Sequence, residues 1–271
     1  MAEGFVLEPN LVSAAHSQSR VSGFTHEFYR YPARFSPVFA RAVIQEFTRP
    51  GDWVYDPFMG GGTTLVEAAA LGRHAIGTDI NALSVFISQV KTRIYSKQFF
   101  HDLTAWARSA SARLDLRRQF ERPNDWIEAG YQRNLSTRRT WRIRKLIELS
   151  LEEINRLPTP RHKDFARCTI LKTAQWALDC RERIPQAAEY REALQANASE
   201  MVLGAKEFAQ SALTNRNVNS GRTRVICLHR SAAGIETDKR LDLGPFAFGG
   251  LGPGHRPREF AFECGSDELL Q

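Results

Sequence analysis

Aspartates at positions 56 and 79 bracket the run Pro57-Phe58-Met59-Gly60-Gly61-Gly62-Thr63, whose composition is that of a ligand-holding turn. Glycines let backbone amides approach a ligand closely, and a helix that starts beyond such a turn presents unpaired N–H groups that favour an anionic group. Asp79 follows Gly60 by nineteen residues. At that distance an acid ending a second strand can accept hydrogen bonds from both hydroxyls of a ribose. Taken alone, the pattern suits any nucleoside-containing cofactor on a doubly wound sheet. It is not the dinucleotide fingerprint, because Phe58 to Thr63 does not supply Gly-x-Gly-x-x-Gly.

The elements needed to position these groups are legible on either side. Val38, Ala42, Ile44 and Phe47 predict a short helix that Pro50-Gly51-Asp52 terminates as a turn. Trp53-Val54-Tyr55 reads as a short buried parallel strand. Thr64-Leu65-Val66-Glu67 has capping-box spacing, which places a helix from about Leu65 to Leu71 with Gly72 as its stop. His74 to Thr78 reads as the next strand, with Asp79 at its carboxyl end, and Asn81 is a plausible N-cap for a helix from Ala82 to Arg93.

Beyond residue 97 the character changes. Up to Leu213 glycine almost disappears and the apolar spacing is helical: Phe99, Leu103, Trp106, Ala107, Ala110 and Leu114 line one face, and Tyr190, Leu194, Ala198, Met201, Ala205, Phe208 and Ala212 line another. A third face reads Ile143, Leu146, Ile147, Ser150, Ile154 and Leu157. From about Asn215 glycine and proline accumulate, and only Arg224 to Leu228 looks like a strand. The expected organisation is a loose leader over residues 1–23, a cofactor-binding α/β core over 24–96, a helical region over 97–213 as insertion or second domain, and an irregular C-terminal segment over 214–271. The fold class is α/β, a doubly wound Rossmann-like sheet with that large helical insertion.

Charge is unevenly placed. The formal net charge is +7, yet residues 1–96 carry 8 basic and 8 acidic side chains. Between Arg117 and Lys145, nine Lys/Arg, among them Arg118, Arg138, Arg139, Arg142 and Arg144, face only Glu121, Asp125 and Glu128. Such a concentration attracts polyanions, and Trp126, Tyr131 and Trp141 interleave it with rings able to stack on bases. The alternative is a solvated helix face with its tryptophans turned inward. Cys168, Cys180, Cys227 and Cys264 form no C-x-x-C pair and stand near no histidine cluster, so they are expected to be reduced thiols with no metal. No apolar run approaches the roughly 20 residues of a membrane span, and the N-terminus lacks a secretory pattern. A soluble, cytoplasmic chain with no membrane partner is expected.

Asp56-Pro57-Phe58-Met59-Gly60-Gly61-Gly62-Thr63-Thr64 resembles the Asp-Pro-Phe-x-Gly-(Ser/Gly)-Gly-Thr signature of S-adenosylmethionine-dependent DNA amino-methyltransferases, which methylate cytosine N4 or adenine N6 and include enzymes of restriction-modification systems. Ile76-Gly77-Thr78-Asp79-Ile80-Asn81 is similar to that family's acidic motif. His26-Glu27-Phe28-Tyr29-Arg30-Tyr31-Pro32-Ala33-Arg34-Phe35 resembles its upstream His-x-Tyr-Pro-Ala-(Lys/Arg)-Phe segment. The three matches cover residues 24–95.

The resemblance implies S-adenosylmethionine as cofactor and DNA as partner. It implies that Asp56, followed by Pro57, holds the methionine amino group. Amides around Phe58, Gly60 and Gly62, with Thr63, would receive the carboxylate, Asp79 would bind the ribose, and Asn81 or its neighbours would border the adenine. Tyr31, Pro32, Ala33 and Phe35 would wall the pocket. The basic segment, through Arg117, Arg118, Arg138, Arg139, Arg142, Arg144 and Lys145, is expected to meet nucleic acid.

The family positions its target amine with an Asp, Asn or Ser followed by two prolines and an aromatic residue. No such tetrapeptide occurs in this chain; the nearest approach is Leu241-Asp242-Leu243-Gly244-Pro245-Phe246. No catalytic residue is therefore assigned. The expectation is an incomplete amino-methyltransferase, truncated or frame-shifted before that motif, or one whose second chain supplies it. The alternatives are a non-catalytic subunit that binds S-adenosylmethionine and nucleic acid, and an RNA methyltransferase.

Overall fold

The computed structural model describes residues 9–31, 36–118, 139–179, 183–215 and 223–235. The chain forms two compact units, one of residues 1–21, 33–92 and 210–271 and the other of 22–32 and 93–209.

The first unit is α/β. Strand β1 (Trp53–Asp56) pairs in parallel with β2 (His74–Asp79), which pairs in parallel with β3 (Val225–His229). The alternation of side chains gives the sheet two apolar faces, as buried parallel strands require. Val54, Ala75, Val225 and Cys227 point to one face, where they meet Ile44, Met59, Leu65, Ala68, Leu71 and Val85. Trp53, Tyr55, Ile76, Ile226 and Leu228 gather on Ile235 at the other. Helices α2 (Pro37–Phe47), α3 (Thr63–Ala70) and α4 (Ala82–Thr92) belong to this unit, α2 starting under a Ser36 cap whose hydroxyl accepts from the Phe39 amide.

Two local expectations are corrected and a third is borne out, the strand near residue 225. Residues 9–15, expected within a loose leader, form helix α1 (Pro9–Ala15), which buries Leu11 and Ala14 and packs against α2. The capping box at Thr64 does not form: α3 starts at Thr63 with Gly62 at the cap position, and Glu67 pairs with Arg41 at 2.7 Å. A buried carboxylate takes a nearby guanidinium in preference to an amide already close to the helix start. The strand read at 224–228 lies beside β2, so the C-terminal segment contributes to the sheet. Gly72 stops α3 as expected, with φ of 79°.

The second unit is helical, as its spacing predicts: α5 (Lys97–Arg113), α6 (Trp141–Glu153), α7 (Pro160–Leu178) and most of α8 (Ala187–Thr214), whose last turn is grouped with the α/β unit. The faces read from α5 and α8 are buried throughout. On α6, Leu149 is buried in place of Ile147. The polar core of this unit centres on Glu153, whose side chain is fully buried and meets Arg113 at 2.7 Å, Arg118 at 2.6 Å and Arg156 at 3.0 Å. Burial pushes the Glu153 carboxyl upward, but hydrogen bonds from Arg113 and Arg118 outweigh it and hold its pKa below the ordinary value. Among the described residues, no helix is long and apolar enough to cross a membrane and no side-chain cluster could hold a metal ion.

Candidate cofactor site

The register of the sheet brings the two aspartates to one edge. Asp56, the last residue of β1, stands opposite Gly77, and β2 runs two residues further to Asp79. Both lie at the carboxyl ends of parallel strands, where open α/β sheets hold their ligands.

The intervening loop is held by β2. Thr78 Oγ1 donates to the Pro57 carbonyl at 2.8 Å, and the Met59 amide donates to the Thr78 carbonyl at 3.0 Å. Met59 is thereby buried against the strand, which is why position 77 is glycine: a Cβ there would lie 2.6 Å from Met59 Sδ and 2.9 Å from Leu65 Cδ2. The chain then turns through Gly60 (φ 44°) and Gly62 (φ 75°) into α3. At Gly62 a Cβ would meet Ser88 Oγ at 2.5 Å, so α4 as well as backbone conformation demands glycine.

Asp79 is built into this loop. Its Oδ2 accepts from the Gly60 amide at 3.0 Å and its Oδ1 from the Asn81 amide at 2.8 Å, while Asn81 Oδ1 accepts from the Leu83 amide. A carboxylate has about four lone-pair directions, so two remain for a ligand. Asp56 accepts from the Phe58 amide at 3.0 Å. Burial raises its pKa and the charge of Asp79 adds to this, against hydrogen bonds from Thr64 and Phe58 that favour the ion. Phe58 and Ile80 are 70% and 78% exposed beside the two carboxylates, an apolar rim of the kind a flat ring covers.

The amides of Phe58, Gly60 and Gly62 thus donate inside the loop, Gly62 to the Met59 carbonyl. The donors left by helix geometry lie one step later, in the first turn of α3 at Thr63, Thr64 and Leu65. Sequence reading also passed over Lys91. It is buried, and its Nζ donates to the Gly61 carbonyl at 2.8 Å from beneath the loop. Ser84, Ser88 and Lys91, spaced i, i+4, i+7 on α4, are all buried; a polar stripe on an otherwise apolar helix was the available signal.

Tyr31 belongs to the helical unit, where its ring meets Tyr29 edge-on. Pro32, Ala33 and Phe35 lie outside the described residues, as do Arg138, Trp126, Tyr131 and the segment from Asp242 to Phe246. Of the basic segment, Arg118 is turned inward onto Glu152 and Glu153, and Arg144 faces Glu148 at 3.5 Å. Arg117 is exposed. Arg142 lies over the Trp141 ring at 5.5 Å, and that tryptophan is exposed rather than turned into the core.

Strand, glycine turn, helix and acid-ending strand make a unit of the α/β class whose strand ends are placed where such sheets hold ligands. Residues 10–89 match the family model described as DNA methylase. The chain is 33% identical over 95 residues to the type II methyltransferase M.MjaII of Methanocaldococcus jannaschii, a match covering 35% of this chain and 18% of that protein. It is 45% identical over 71 residues to the type II methyltransferase M.MvaI of Kocuria varians, covering 25% of this chain and 16% of that one. A match of 43% over 53 residues to the orphan methyltransferase M.BamHII of Bacillus amyloliquefaciens covers 20% of each. The chain thus spans about a fifth or less of these relatives' length. No solved structure matches it.

Proposed function

We propose that the α/β unit binds S-adenosylmethionine and that the chain takes part in methylating an exocyclic amino group of DNA, cytosine N4 or adenine N6. The observation that carries this is Asp79, anchored by the Gly60 and Asn81 amides at the end of β2 with a carboxylate still able to accept. The residues present fit the cofactor. Asp79 would take the ribose hydroxyls, Ile80 and Asn81 would border the adenine, and Asp56 would take the methionine amino group. The first turn of α3, with Thr63, would receive the carboxylate. When bound, the sulfonium supplies the transferable methyl group; the residues of this site orient it. The two apolar faces of the sheet support a doubly wound, Rossmann-like architecture of which β1, β2 and β3 are the described part. DNA is the expected partner of the basic residues in the helical unit.

The full transfer needs an acceptor for the target amine. The 271 residues contain no Pro-Pro pair, so in this reading the acceptor loop is not among them. Calorimetric titration with S-adenosylmethionine and its demethylated product tests the cofactor assignment. Asp79→Ala removes a charge-assisted acceptor worth on the order of 1.5–3 kcal/mol per hydrogen bond, so affinity should fall at least about tenfold. No heat from the parent chain, or equal affinity in the variant, ends the proposal.

A further inference from the structure

Side chains alternate along a strand, so one face of the sheet can be followed to its edge. Val54, Ala75, Val225 and Cys227 lie on the face that carries Leu65 of α3 and Val85 of α4. At the carboxyl ends of β1, β2 and β3 the same face reaches Asp56, Asp79 and His229. The register pairs Asp79 directly with His229, and the Arg230 amide donates to the Asp79 carbonyl at 3.0 Å, so the ladder holds to the end of both strands. The His229 ring turns toward β2, where its Nε2 meets the Ile80 carbonyl at 3.0 Å. A carbonyl only accepts, so Nε2 donates, and the neutral ring then presents a lone pair at Nδ1. His229 is exposed, and among the described residues its Nδ1 has no partner.

We propose that His229 is a specificity-determining residue of the cofactor site, its Nδ1 accepting a hydrogen bond from the 6-amino group of adenine. This rests on the S-adenosylmethionine reading, in which Asp56 takes the methionine amino group and Asp79 the ribose. The strand order β1-β2-β3 then sets a direction along the edge. With methionine at β1 and ribose at β2, the base continues toward β3, about 4.8 Å further on, where the residue in register is His229. Ile80, whose side chain is the apolar rim proposed to border the adenine, is the residue to which the ring is tied. The fixed tautomer is what gives selectivity. An acceptor at Nδ1 pairs with the amino group of adenine but opposes the 6-oxo group of hypoxanthine, lone pair against lone pair, and a polar group left unpaired in this way costs more than a lost contact. The turn that follows is held by its own side chains: the Arg230 guanidinium donates to the Ser231 and Ala233 carbonyls at 3.0 and 2.6 Å, and Ser231 Oγ accepts from the Ala233 amide.

Calorimetric titration with S-adenosylhomocysteine and with its hypoxanthine analogue, S-inosylhomocysteine, is made on the parent chain, on His229→Phe and on His229→Asn, with circular dichroism melting to establish that each is folded. If His229 selects the base, the parent prefers the adenosyl ligand by about tenfold or more. His229→Phe loses most of that preference through weaker adenosyl binding, and His229→Asn, which keeps an acceptor, recovers part of it. A ring that serves only to hold the Ile80 carbonyl would weaken both ligands alike. A ratio of affinities unchanged in both variants, or a parent without preference, therefore overturns the role of His229 and leaves the cofactor reading standing. A parent that binds neither ligand overturns both.

Discussion

The loop between Asp56 and Asp79 and the arginines of the helical unit both carry charge, but they are built in opposite ways. At the loop, position is set by the backbone: Thr78, Met59, Gly60 and Asp79 are joined by main-chain and Asx-type hydrogen bonds within about twenty-five residues of sequence. In the helical unit, position is set by side chains that meet across long separations, Arg118 to Glu153 over 35 residues and Arg113 to Glu153 over 40. A motif therefore specifies the first, because its residues carry their own scaffold. In the second, residues of one type divide into core struts and exposed groups, and only folding decides which is which.

The largest expected effect separates binding from chemistry. Transfer of labelled methyl groups to unmethylated genomic DNA should be undetectable with this chain alone, since misplacing a reacting group by about 1 Å costs on the order of a hundredfold and here the amine acceptor is missing from the sequence. Addition of a chain bearing the Pro-Pro-aromatic loop should restore transfer. Turnover by the unaided chain would refute this and direct attention to the region around Asp242.

Next is the strut. Glu153→Gln leaves three guanidinium groups around a neutral side chain. Removing one partner of a buried ion pair costs about 3–5 kcal/mol, and because Arg113 and Arg156 keep solvent exposure we expect about 2–3 kcal/mol by urea unfolding. The same residue has a pH signature. Its folded pKa lies below its unfolded value, so its contribution is present above roughly pH 4.5 and is lost as pH falls through the folded pKa. The parent should lose stability in that acidic window more steeply than the variant. Parallel curves would show that the cluster does not support the unit.

The backbone-built site is tested by packing instead of charge. Gly77→Ala forces a methyl against Met59 and Leu65, and overpacking of this kind costs about 1–3 kcal/mol. Because Met59 anchors the loop, cofactor affinity should fall with stability. Lys91→Met removes the donor to the Gly61 carbonyl. It should cost about 1–2 kcal/mol and weaken cofactor binding several-fold, with affinity for DNA unchanged. Either variant retaining full cofactor affinity would place the loop's rigidity elsewhere.

The smallest effect has an unusual sign. Burial raises the Asp56 pKa, so above the unfolded pKa the ionised form weighs against folding, and that penalty is relieved as pH falls. Asp56→Asn should raise the melting midpoint at neutral pH and at the same time lower cofactor affinity. A lower midpoint would mean that the hydrogen bonds from Thr64 and Phe58 outweigh the burial.

Residues 53–79 show how much of the site was legible. Strand, glycine turn, helix and acid were readable from residue types because each has a local cause: β-branched and aromatic residues for β1, positive φ at Gly60 and Gly62, and a strand end at Asp79. The α5 and α8 faces were readable for the same reason, as apolar spacing at the helical period. Local signals failed where a distant partner intervened. Glu67 left its capping box for Arg41, Leu11 and Ala14 made α1 part of a packed layer, and Lys91 went under the loop because Gly61 turned its carbonyl that way. By itself the sequence determined the glycine turn and the helical character of the described residues between 97 and 213, since main-chain geometry and periodicity depend on neighbours in the chain. Tertiary structure alone decided that 225–229 would join β2, that Arg118 would brace Glu153, and that His229 would reach the Ile80 carbonyl, because these are meetings of side chains and strands whose separation along the chain leaves no local trace.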